Sequence, residues 1–121
     1  MAKLLLFNVT DTQKRQEILA LSLRMNIRVI DVPPACQSAS IRDLLSGTAQ
    51  GAPAADPFDR EMLVMNGFEH GDLNFFLNEL HRTGCGVALK AVVTETNQYW
   101  SAEQLYRALL AESAALGGRP S

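Results

Sequence analysis

The chain opens on an apolar run, Leu4-Leu5-Leu6-Phe7, closed by Asn8. A strand without alternation is one covered on both faces. Thr10 and Gln13 then stand at capping-box spacing, so a helix is expected from about Asp11 to Met25. Ile18, Leu21 and Met25 share one face of it, and Leu19 and Leu23 lie nearly opposite. A helix apolar on two sides packs on two sides or meets a second subunit. Residues 27–32 alternate as an edge strand does, and Pro33-Pro34 stops them. Ser40 and Asp43 offer a cap for a two-turn helix that carries Ile41, Leu44 and Leu45 and ends at Gly47. Residues 48–59 have no period and predict a flexible connector rather than a domain boundary.

The pattern then restarts. Met62-Leu63-Val64-Met65 is a second fully apolar strand, closed by Asn66, with Gly67 free to turn. A helix is expected from about Asp72 to Thr83, with Leu73, Phe76, Leu77 and Leu80 on one face. His81 and Arg82 suit its negative end, and Gly84 suits a left-handed cap. Residues 87–94 alternate, with Val87, Leu89, Ala91 and Val93 on one face and Ala88, Lys90, Val92 and Thr94 on the other. Ser101 and Gln104 make a third cap, for a last helix through Leu105, Tyr106, Leu109 and Leu110 that ends at Gly117. Residues 1–117 thus read as one α/β domain, and 118–121 as a disordered tail. No internal repeat is legible in the residues.

Alternating strands and helices predict a four-stranded, mostly parallel sheet in the order 2-1-3-4, with helices on both faces. A ferredoxin-like α+β sandwich, order 4-1-3-2, is the alternative, because it also places the two greasiest strands at the centre. The choice bears on function. A parallel sheet gathers Asn8, Thr10 and Asp11, Asn66 and Gly67, and Thr94, Thr96 and Asn97 at one edge, where open α/β sheets bind ligands. The ferredoxin-like order separates Asn8 from Asn66 and Asn97.

Composition narrows the class. The 121 residues are 47% hydrophobic and 20% charged, which is ordinary for one folded domain. A net charge of -2 predicts no nucleic-acid partner. No apolar stretch nears the ~18 residues a membrane span needs, and the first apolar run is too short for a signal peptide. Two cysteines, Cys36 and Cys85, fit a reducing cytoplasm, where both are expected as free thiols.

The string Leu89-Lys90-Ala91-Val92-Val93-Thr94-Glu95-Thr96-Asn97-Gln98-Tyr99-Trp100, with Met62 to Phe68 before it and Leu105-Tyr106 after it, resembles the bacterial domain-of-unknown-function family DUF3783. Leu4 to Asn8 and Val32-Pro33-Pro34 look like that family too, so the resemblance covers most of the chain. Glu69-His70-Gly71-Asp72 departs from its pattern, in which a capping hydroxyl and more acidic residues precede the helix. The resemblance implies no activity, substrate or catalytic residue.

Candidate chemistry is sparse. Thr94, Thr96 and Asn97 precede a capped helix and could seat an anion, although the same residue types simply fix turns. Lys90 could hold an anionic group, or lie along the sheet with its head in water. Trp100 could stack on a ligand or anchor the core. Cys36, His70, His81 and Cys85 lack metal-ligand spacing, and there is no nucleotide-binding loop, so neither metal nor cofactor is expected. Phe75, off the apolar stripe, joins Leu19 and Leu23 as a hint of a homodimer. Two readings follow. The first is a non-catalytic binding or regulatory module with a polar site for a small anionic ligand at Asn8, Thr10, Asn66, Lys90, Thr94, Thr96, Asn97 and Trp100. The second is a small enzyme using Lys90 with the Thr and Asn residues.

Overall fold

Leu4, Leu5, Leu6 and Phe7 are no more than 2% exposed, and Met62, Leu63, Val64 and Met65 no more than 1%. These two runs are β1 (Lys3–Phe7) and β3 (Met62–Asn66), side by side at the centre of a four-stranded sheet. The edges are β2 (Arg28–Val32) and β4 (Leu89–Val92), giving the order β2-β1-β3-β4. The computed structural model describes residues 2–54, 56–69 and 71–115; the expected helix end at Gly117 and the tail 118–121 lie outside the described residues.

Alternate residues of each central strand feed opposite cores, as a strand's twofold period requires. Leu4, Leu6, Leu63 and Met65 meet Ile18 and Leu21 of α1 (Thr12–Arg24) and Phe76 and Leu80 of α3 (Asp72–Arg82). Leu5, Phe7, Met62 and Val64 meet Ile41 and Leu44 of α2 (Ile41–Ser46) and Ala102, Leu105 and Tyr106 of α4 (Ala102–Ala115). Each fully buried Leu or Phe contributes about 1.5–3 kcal/mol, so the missing alternation in β1 and β3 follows from cover on both faces.

The strand order and the helices on both faces are as expected; one pairing is not. β1 runs parallel to β2, and β3 parallel to β4, but β1 and β3 are antiparallel, with Leu5 opposite Val64 and Phe7 opposite Met62. The sheet is therefore mixed and mostly parallel, and it is not the ferredoxin-like order either. The cause lies in the connector. Asn8, at φ 59°, donates from Nδ2 to the carbonyls of Phe58 and Arg60, both at 3.0 Å. That ties residues 58–60 to the end of β1, so β3 enters beside Phe7 and must run back along it. Asn tolerates the left-handed backbone better than a bulky residue would. Buried Gln37 grips the same point: its Nε2 donates to Phe58 O at 2.7 Å and its Oε1 accepts from Phe58 N at 3.0 Å. The Phe58 ring stacks on Tyr106 at 4.0 Å and lies 5.9 Å from Phe7.

The antiparallel centre exposes a duplication that the residues do not announce. Strand, helix, strand, 3₁₀ turn and helix occur in that order twice, over β1 to α2 and over β3 to α4, the turns being Pro34–Cys36 and Asn97–Tyr99. Each central strand is followed by a left-handed residue, Asn8 or Gly67, and so are the helices α1 and α3, by Asn26 and Gly84. Both helices close with the same pair of bonds. Ile27 N reaches Ser22 O and Asn26 N reaches Leu23 O after α1; Cys85 N reaches Leu80 O and Gly84 N reaches His81 O after α3. The starts of α2 and α4 meet reciprocally, Ile41 N on Trp100 O at 2.9 Å and Ala102 N on Ala39 O at 3.0 Å. Antiparallel central strands and reciprocal bonds are what an approximate two-fold axis between β1 and β3 produces.

The caps match their expected places with one change. Ser40 Oγ accepts from Asp43 N, Ser101 Oγ from Gln104 N, and Gln104 Oε1 from Ser101 N. At α1 the cap is Asp11 rather than Thr10: its carboxylate accepts from Lys14 N at 2.8 Å, and the helix starts at Thr12. A carboxylate caps as well as a hydroxyl does and also suits the positive end of the helix.

Candidate functional site

The antiparallel centre divides the residues expected to share one edge. Asn8 and Thr10 lie where β1 ends, beside Met62 at the start of β3. Asn66 ends β3 at the opposite edge, beside Lys3, and Thr94, Thr96 and Asn97 follow β4 at that same edge. A single site built from all of them is thereby corrected, and for the reason already given: β3 enters at the edge where β1 leaves.

Asn97 is buried, and its side chain serves its own turn. Oδ1 accepts from Thr94 N at 2.7 Å, and Nδ2 donates to Val92 O at 3.1 Å. Thr94 Oγ1 accepts from Asn97 N at 3.0 Å. The N-terminus of α4 is occupied by the reciprocal Ser101–Gln104 box. Thr96 is exposed beside this corner. Trp100 is half-buried, packs on the α2–α4 core, and gives its carbonyl to Ile41 N. These groups act as a corner brace between β4 and α4.

Lys90, Asn97 and Trp100 do line one shallow hollow of ≈ 340 Å³ between β4 and α4, with Leu105, Leu109 and Glu112. A larger cleft of ≈ 640 Å³ opens on the other side of β4, against α3. Its walls include Asn74, Leu77, Asn78, His81, Val87 and Lys90. Lys90 is exposed on this side, and its Nζ lies 3.4 Å from Val87 O. Val92, two residues on and on the same face of the strand, is 46% exposed. Gly86 borders the cleft, and a methyl group there would sit 3.8 Å from His81 Nδ1. Asn74 and Asn78 escaped sequence reasoning, and His81 was weighed there only as a helix-end charge and a metal ligand, although their i, i+4, i+7 spacing marks a polar stripe on α3 beside its apolar one.

Cys36 and Cys85 are free and belong to opposite faces of the sheet. Among the described residues, no three His, Cys, Asp or Glu side chains converge as metal ligands would, and His70 lies outside those residues. No helix among the described residues is long and apolar enough to cross a membrane. Leu23 is 81% exposed, Phe75 53% and Leu19 37%, so the three expected surface apolar side chains stand in the open.

The family comparison falls on the unit that holds this cleft, from β3 through α4. Residues 61–116 match the model of the family Domain of unknown function (DUF3783). The chain resembles DUF3783 over the second of its two structural halves, and the likeness of Leu4–Asn8 and Val32-Pro33-Pro34 falls outside the matched stretch. No curated protein and no solved structure matches the chain.

Proposed function

We propose that this chain is a small, non-catalytic binding module whose site is the cleft between α3 and β4. The observation that carries the reading is the cleft itself. Its ≈ 640 Å³ falls within the range of about 300–1,000 Å³ usual for ligand sites. It combines an apolar floor of Leu77, Leu80 and Val87 with polar groups of Asn74, Asn78, His81 and Lys90. That mixture suits an anionic occupant with an apolar body. Reading the chain as a small enzyme instead needs Lys90 to meet Asn8 and Asn97 at one point, and the pairing of β1 with β3 supports this less. We place the module in the cytoplasm, on the strength of its two free thiols, and without a nucleic-acid partner, on the strength of its net charge of -2.

A thermal-shift screen with organic anions tests the reading. A ligand at about a hundred times its Kd should add about 2.7 kcal/mol of apparent stability. Replacing exposed Ala88 by Trp should cover the cleft and abolish the shift while leaving the unliganded protein folded. Hits whose NMR shifts map away from α3 and β4 would overturn the assignment.

A further inference from the structure

The two halves of the sheet end in two edge strands, β2 and β4, which the approximate two-fold makes counterparts. They are finished differently. In the first half, Arg15 of α1 reaches across to Asp31 of β2, its two guanidinium nitrogens on the two carboxylate oxygens, with Nη1 to Oδ1 at 2.7 Å. Arg28 and Asp31 are both exposed along that strand. Charges along an edge and a side chain bridged over its groove are the ordinary means of keeping another strand away. In the second half, among the described residues, no side chain of α3 bridges to β4 in this way. Asn74, Leu77, Asn78 and His81 of α3 line an open cleft whose other wall is Val87 and Ala88, which lead into β4, and Lys90 of the strand itself. Val92 stands exposed on β4 on the face where Asp31 stands on β2.

We propose that this groove docks an extended, acidic segment of a partner protein, which adds to the sheet as a fifth strand beside β4. The inference rests on the reading of the cleft as the binding site and names its occupant. An edge strand offers an unpaired row of backbone N–H and C=O groups, and an extended peptide laid between such an edge and a helix satisfies them. The dimensions agree. From Asn74 to Arg82, α3 runs ~12 Å at ~1.5 Å per residue, the length of about four extended residues at ~3.3 Å each. Charge selects the sequence of the guest. Among the described residues, the titratable side chains lining the groove are His81 and Lys90, with no carboxylate beside them. A second copy of this chain fits less well, because joining two β4 edges brings the Lys90 and His81 of both copies to one face of the extended sheet.

The test is selection of a random dodecapeptide library on the full chain, followed by NMR titration with the most enriched peptide in synthetic form. Enriched peptides should alternate β-branched or aromatic residues with Asp or Glu. Titration should shift the amides of Lys90 to Val92, Asn78 and His81 and slow hydrogen exchange along β4. Lys90→Glu, at an exposed position, should weaken binding by about tenfold or more while leaving the spectrum folded. Enrichment of basic peptides, a shift map on β2, or unchanged affinity in Lys90→Glu would overturn the proposal. Propionate serves as a separate probe. Propionate shifts in the cleft without any enriched peptide would overturn the docked segment and leave the cleft as a small-anion site; no response to either probe would sink both readings. A concentration-dependent dimer that protects the same β4 amides would replace the partner protein with a second copy.

Discussion

Replacing Gln37 by leucine removes both arms of the clamp on Phe58 while nearly preserving side-chain volume. Gln37 is 1% exposed, so water cannot take over its role. Phe58 N then loses its acceptor, whereas Phe58 O keeps the bond from Asn8 Nδ2 at 3.0 Å. An orphaned buried N–H costs about 1–3 kcal/mol, and the lost bond to the carbonyl adds about 1 kcal/mol, so the expected destabilisation is about 3 kcal/mol. For a domain of this size that lowers Tm by roughly 10 °C. Urea denaturation followed by circular dichroism reads the change as a lower midpoint with an unaltered slope. Because Gln37 and Asn8 both donate to one carbonyl, Gln37→Leu and Asn8→Ala should be non-additive, with a coupling of about 0.5 kcal/mol or more. A loss below about 0.5 kcal/mol in Gln37→Leu would refute the view that this clamp fixes the entry of β3.

Other expectations follow from the same geometry. Asn97→Ala should destabilise by about 1–2 kcal/mol in thermal melts, through its lost bonds to Thr94 N and Val92 O, and should leave binding in the α3–β4 cleft unchanged. Asn26, at φ 60°, should accept Gly with a change of only a few tenths of a kcal/mol but lose about 1 kcal/mol as Ala, both read from denaturant midpoints. The hydrogen bond from Arg82 holds Glu79 below its ordinary 4.5, against an opposing push from burial. Its contribution is therefore full above that value and is lost as pH falls through the lower folded value. Glu79→Gln should be the less stable protein near neutrality, and its difference from the parent should vanish on acidification below 4.5; a difference that stays constant would refute the pairing.

Local chemistry let the residues declare the elements. Apolar runs closed by Asn8 and Asn66, the cap at Ser40, the box at Ser101, and the left-handed position of Gly84 each act within a few residues, so they are legible along the chain. The central place of β1 and β3 was legible too, because only a central strand needs apolar side chains on both faces. That same two-sided cover erased the alternation that might have revealed strand direction, and with it the antiparallel centre. Direction was decided by contacts between distant residues, Asn8 and Gln37 with Phe58, which carry no local signature. The candidate site followed from that decision. Once β3 runs back along β1, Asn8 becomes a clamp, Asn97 a corner brace, and the open cleft falls between β4 and a polar stripe of α3. The duplication stayed hidden for a related reason: two-fold packing constrains backbone conformation and burial, which different side chains meet equally well, as Asn26 and Gly84 do.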